Sequence, residues 1–191
     1  MSIASVHEGE RKPGMANAYL GMLLFLVSEA FLFSALFVTY FYLRTYTPVW
    51  PPQGVHLEIT LVSFNTLVLL VSSGTMQWAI SAWRRGNQRV ALAALLTTML
   101  LGSTFLAIKG WEWYHEPFRP WDHAYGSIFY TLTGFHALHV LGGIFILGAL
   151  LIRTSRLRSL GHPLAVEMAG VYWHFVDLVW LFVFGSVFLL R

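Results

Sequence analysis

Five ionisable side chains stand among apolar neighbours: Glu29, His136, His139, His174 and Asp177. Glu29 is the one formal charge between Met15 and Leu43, and Asp177 is the one between Met168 and Leu190. His136 and His139 lie in a stretch, His123 to Ile152, with no formal charge and one further histidine, His123. Carboxyl and imidazole groups at a common level can fasten helices by hydrogen bonds, hold and pass a proton, or ligate a metal. His136 and His139 are three residues apart and share a helical face, as do His174 and Asp177. A carboxylate in a bilayer costs several kcal/mol unless protonated or paired, so interior partners are expected. Polar fastening comes first among these readings, a proton or ion site second. A metal or haem site comes last, because a mid-helix His-x-x-His is a weak metal signature.

The five side chains share a level only if long helices carry them. The chain has 191 residues, 57% hydrophobic and 16% aromatic, with 11% charged and no cysteine; its mean hydropathy is +0.62. Soluble domains average about 25% charged residues. So little charge cannot cover a water-facing surface, which excludes a soluble enzyme, a disordered chain and a nucleic-acid binder, despite a pI near 9.4. Without cysteine there are no disulfides and no thiolate sites. Charges fence off apolar stretches that each reach, or nearly reach, the roughly 20 residues needed to cross a bilayer. The reading is all-α: a polytopic bundle of five transmembrane helices at about 16–44, 57–83, 89–113, 123–153 and 163–190. Residues 1–14 are expected to be a short cytoplasmic segment and 15–191 a single transmembrane domain. The stretches are too long, and too uniformly apolar, for β-barrel strands. Glu29, His136, His139, His174 and Asp177 then fall within a turn or two of mid-depth.

Alternation of five spans puts Arg11, Lys12, Arg84, Arg85, Arg89, Arg153, Arg156 and Arg158 on one side, against Arg44, Lys109, Arg119 and Arg191 on the other. Basic excess marks the first side as cytoplasmic, with the N-terminus, and leaves the C-terminus outside. The outer connections carry Trp50, Trp111, Trp113, Tyr114 and Trp121, an interfacial aromatic belt. Lys109 sits near an outer helix end, where its ammonium is expected to snorkel to headgroups. Glu112, Glu116 and Asp122 follow and are read as exposed partners of Lys109 or Arg119, worth little. The threonines of the first three spans are expected to bond within the bundle or back to their own helices. Gly142 and Gly143 read as close-packing positions between helices. No phosphate loop or nucleophile elbow is present.

Four blocks in order resemble the haem-copper oxidase subunit III family. They are Gly21-Met22-Leu23-Leu24-Phe25-Leu26-Val27-Ser28-Glu29; Trp50-Pro51-Pro52-Gln53-Gly54-Val55-His56 with Asn65-Thr66-Leu67-Val68-Leu69-Leu70; Tyr125-Gly126-Ser127 leading into Thr133-Gly134-Phe135-His136-Ala137-Leu138-His139-Val140; and Tyr172-Trp173-His174-Phe175-Val176-Asp177-Leu178-Val179-Trp180-Leu181-Phe182. They span about residues 19 to 190. The five-helix count resembles the short form of a family whose longer members have seven. Glu29 resembles that family's buried, carbodiimide-reactive glutamate and Asp177 its second buried carboxylate. Arg153 and Arg156 resemble contacts to a phospholipid headgroup.

The resemblance implies an accessory subunit of a respiratory, proton-pumping terminal oxidase of the cytochrome c oxidase type, without a catalytic residue or metal of its own. Haem and copper would belong to partner subunits. Subunit I would be the main contact, with other oxidase subunits and bound phospholipid as further partners. The expected roles are assembly, stability during turnover and support of proton uptake, through Glu29, Asp177, His136, His139 and His174. The expected location is a bacterial or archaeal plasma membrane. Alternatives are a quinol oxidase subunit III, an accessory membrane protein of nitric oxide reductase and, in another class, a proton-coupled transporter.

Overall fold

The computed structural model describes residues 13–55, 57–157 and 163–190. The first twelve residues of the expected N-terminal segment and Arg158 lie outside them, and the side chain of Arg156 is likewise not described. The helices are α1 (Pro13–Tyr46), α2 (Ile59–Arg84), α3 (Gln88–His115), α4 (Ala124–Leu157) and α5 (Pro163–Val183), the last continuing as a π-helical segment, Phe184–Leu189. Among the described residues, five helices are long and apolar enough to cross a membrane. α4 extends to Leu157 instead of stopping near 153.

All seven prolines avoid helix interiors: Pro13 and Pro163 open α1 and α5, and the others lie in connections. A first-turn proline gives up no intrahelical hydrogen bond, so it starts a helix without weakening it. Between α2 and α3, Gly86 takes a φ of 76°, a conformation that side chains disfavour. The Asn87 side chain then caps α3 by accepting from the Val90 N–H at 3.3 Å.

α2 and α3 form the most extensive pair, and α5 packs against both α2 and α4. Trp173 and Trp180 of α5 are almost fully buried, among Met76, Leu95, Phe105, Phe129 and Leu132. Small residues admit these rings. A Cβ added to Gly102 or Gly143 would lie 2.6 or 2.8 Å from Trp173, so α3 and α4 accept the indole only where they have no side chain. Gly142 lies against the Tyr172 hydroxyl. The threonines behave as expected: Thr39, Thr66, Thr97, Thr98 and Thr104 each donate to the carbonyl four residues earlier.

α1 is attached differently. It rests on α4 and α5, and Phe33 and Tyr40 are its buried hydrophobic side chains among the described residues. Leu20, Leu23, Leu24, Phe31, Val38 and Tyr42 are exposed. Polar contacts along its length help to secure it. The Tyr19 hydroxyl donates to Glu167 at 2.6 Å, Glu29 bonds His139 at 2.8 Å, and the Tyr40 hydroxyl donates to the Ser186 carbonyl at 2.8 Å. At 1.5 Å rise per residue these lie roughly 15 Å apart along the helix, near both ends and the middle. The last falls in the π-helical segment, where the Leu190 N–H reaches back five residues to Gly185 at 2.9 Å.

Candidate functional site

A residue's level along a helix does not tell which way its side chain faces. Glu29 and His139 meet at the seam of α1 and α4, with Oε2 2.8 Å from Nε2 and both side chains largely buried. The other nitrogen of His139, Nδ1, lies 2.7 Å from the Phe135 carbonyl. A carbonyl only accepts, so Nδ1 carries a proton. One proton therefore lies in the bond between Nε2 and Oε2. The pair is either imidazolium with carboxylate or neutral imidazole with carboxylic acid, and it is electrically neutral in both forms. The Tyr172 hydroxyl donates to the His139 carbonyl at 2.9 Å, and Phe33 packs edge-on to the imidazole.

His136, three residues earlier, is elsewhere. It is fully buried in the core, with its ring centroid 4.8 Å from that of Trp180 and 5.7 Å from that of Phe105. Neither of its nitrogens has a hydrogen-bond partner among the described residues. His174 and Asp177 occupy a third place, between α2 and α5. The Ser73 hydroxyl lies 2.7 Å from His174 Nδ1. Asp177 is buried, and neither of its carboxyl oxygens is partnered among the described residues. The structure thus brings Glu29 and His139 together and places His136 and the His174–Asp177 pair in separate surroundings. Among the described residues, no group of three acidic or histidine side chains could hold a metal ion.

The most deeply buried charges are at another level. Lys109, expected to snorkel outward, is 1% exposed. Its Nζ donates to Glu112 Oε1 at 2.8 Å and lies 4.8 to 5.3 Å from the ring centroids of Phe188, Trp180 and Phe129. The reading of Glu112 and Glu116 as exposed partners is likewise corrected, because both are buried. The cause is the cage: its rings come from α4 and the end of α5, and no local sequence pattern announces them. The spacing of Lys109, Glu112 and Glu116, near one helical face, was the available signal. Glu116 lies just past α3, and burial, reinforced by the charge of Glu112, pushes its carboxyl up to about 7. Near the opposite helix ends, Arg84 pairs with Glu167 at 3.0 Å. Arg153 is exposed close to the end of α4.

Five membrane-crossing helices, a neutral carboxyl–imidazole pair at one seam and a caged ion pair in the core define a polytopic helical membrane protein. Comparison with known proteins then names its family. Residues 3–190 match the family model described as cytochrome c oxidase subunit III. Cytochrome c oxidase subunit 3 of Squalus acanthias is 40% identical over 88% of this chain and 67% of its own length. The proteins of the same name from Latimeria chalumnae and Gallus gallus are 39% and 38% identical, over 92% and 96% of this chain and 70% and 74% of their own. The chain belongs to the cytochrome c oxidase subunit III family.

These relatives are animal proteins, and they overturn the expectation of a bacterial or archaeal plasma membrane. The physical reason for the error is plain. Hydropathy and basic bias report a bilayer's thickness and sidedness, and neither distinguishes one energy-coupling membrane from another.

Proposed function

We propose that this chain is an accessory subunit of an oxygen-reducing, proton-pumping oxidase, carrying no redox centre of its own. It forms one five-helix domain that packs beside subunit I, with the α2–α3 and α4–α5 connections and the N-terminus on the matrix side. Haem and copper reside in the partner subunits. The chain supports assembly, endurance during turnover and proton uptake. Family membership and membrane-crossing helices support this reading. The observation that carries it is the Glu29–His139 bond, with its tautomer set by Phe135.

That bond lets a proton change sides between Oε2 and Nε2 with no change in net charge. In hydrocarbon, where an unpaired charge is expensive, a neutral pair can wait near the lipid without an ion partner. Such a pair suits a subunit that steadies proton traffic next to a pump. His136, His174 and Asp177 contribute polarity to the bundle interior. Arg153, at the matrix end of α4, and Arg156 hold a phospholipid headgroup; the exposure of Arg153 fits that role. An anionic phosphate would be attracted there along with the other basic residues of that side.

The test is Glu29→Ala combined with Asp177→Ala in the assembled oxidase. The expected outcome is weaker association with subunit I or faster loss of activity over repeated turnover, with an unchanged reduced-minus-oxidised haem spectrum. Loss of the haem signal from a fully assembled variant complex would contradict a cofactor-free role.

A further inference from the structure

Several exposed hydroxyls on the membrane-crossing helices turn back to their own backbones. Thr39, Thr97, Ser103, Thr104 and Thr131 each donate to the carbonyl four residues earlier. Side chains bonded in this way can face lipid. Two groups on the α2–α5 face are not satisfied by the chain itself. The Gln77 amide is exposed and has no hydrogen-bond partner among the described residues. His174 is half-buried, and its Nδ1 lies 2.7 Å from the Ser73 hydroxyl. Its Nε2 stays accessible and has no partner among the described residues.

Both groups lie at hydrocarbon depth. α2 has 26 residues and is about 39 Å long, against roughly 30 Å of hydrocarbon. Gln77 is about 10 Å in from the Arg84 end of α2, and His174 meets Ser73, one turn nearer the middle. Lipid chains offer neither donor nor acceptor, so an amide and an imidazole nitrogen are costly there unless another protein meets them.

The surface round them is shaped to seat a helix. Ser63, Leu67, Leu70, Gly74, Gln77 and Ser81 follow one another in alternating steps of four and three, the spacing that keeps one line turned toward a neighbouring helix. None of the six is buried by this chain. Gly74 has no atom within 4 Å of where a Cβ would stand, so a partner's backbone can come close. At this depth an element that meets lipid must itself be a helix. α1 rests on α4 and α5 and leaves the α2 line open. The occupant follows from the accessory role: the chain packs beside subunit I, and here its polar groups remain unmet.

We propose that the α2–α5 face seats a transmembrane helix of oxidase subunit I, closest at Gly74, with hydrogen-bonding side chains opposite Gln77 and His174. The proposal rests on the accessory reading above and adds to it the face of contact and the chemistry of the helix that fills it.

Photocrosslinking in the assembled complex tests it. A benzophenone side chain is placed at Leu67 or Leu70 and, as controls, at Leu100 of α3 or Phe145 of α4, all four exposed in this chain. Ultraviolet light is expected to join positions 67 and 70, and not 100 or 145, to a helix of subunit I, identified by peptide mass spectrometry. Gln77→Leu removes an amide that bonds nothing within the chain. It is expected to weaken retention of subunit I about tenfold in a detergent-dilution series, the scale of one or two interhelical hydrogen bonds, with the membrane level of this chain unchanged. Adducts at 67 and 70 to a second copy or to lipid alone, in a complex that still contains subunit I, overturn the proposal and leave the accessory reading standing. Unchanged retention in Gln77→Leu overturns it as well. A chain that brings down no oxidase subunit overturns both.

Discussion

Lys109 and Glu29 face the same difficulty, an ionisable group held within a membrane-crossing helix, and the fold answers it in two ways. Around Lys109 the answer is enclosure: Glu112 at 2.8 Å, three aromatic rings, and 1% exposure. Around Glu29 it is a neutral pair at a seam, on a helix most of whose side chains face outward. The difference separates a scaffold from an attachment. α2 to α5 pack round buried tryptophans and glycine contacts. α1 adds less packing, through Phe33, Tyr40 and half-buried side chains such as Leu26 and Phe37, and hydrogen bonds supplement it. A polar group in the core therefore guards the stability of the whole bundle, whereas a polar group on α1 guards the position of one helix.

The sharpest way to break this comparison is at the caged pair. Glu112→Ala leaves a buried ammonium without its carboxylate, and we predict a loss of about 3–5 kcal/mol, read as a large fall in thermal midpoint or folded yield in detergent. Lys109→Met with Glu112→Leu is expected to recover most of that loss, because a well-packed apolar pair replaces the ions. Little or no recovery would mean that the cage needs its cation.

A smaller effect concerns pH. With its folded pKa raised from 4.5 to about 7, Glu116 keeps its proton in the folded chain while the unfolded chain loses it. Stability therefore falls as pH rises from about 4.5 to 7 and is level above, a change of about 3 kcal/mol. Glu116→Gln is expected to flatten this slope in denaturation scans between those limits. An unchanged slope would place the titration elsewhere.

The smallest expected effects are on α1. Tyr40→Phe removes the bond to the Ser186 carbonyl and is expected to cost about 0.6–2 kcal/mol, in line with interhelical hydrogen bonds in membranes. The readout is faster amide exchange in α1 with unchanged exchange in α2 to α5. If α2 to α5 loosened equally, α1 would be part of the scaffold.

The five spans were legible because a bilayer demands long apolar runs and the charges sit between them. Helix ends moved by a few residues, as in α4, whose helical backbone runs on through the mostly polar residues 154–157. The helix that carries each polar group was legible too, but the direction of its side chain was not. His136 and His139 lie about 60° apart around α4 at 100° per residue, enough for one to face Trp180 and the other Glu29. Their shared face in sequence therefore became two environments. Lys109 was misjudged for a related reason. Its position near a helix end was visible, whereas the rings that enclose it belong to Phe129, Trp180 and Phe188, contributed by distant stretches of chain.

The sparse fastening of α1 has a consequence for handling the molecule. In hydrocarbon nothing competes for the bonds at Glu29 and Tyr40, so they add materially to the modest packing that holds the helix. In a thin or wet micelle, water offers the same donors and acceptors. α1 then becomes a gauge of its solvent: its attachment reports how dry the surrounding medium is, and the first helix to drift in a poor detergent will be the one bearing Glu29.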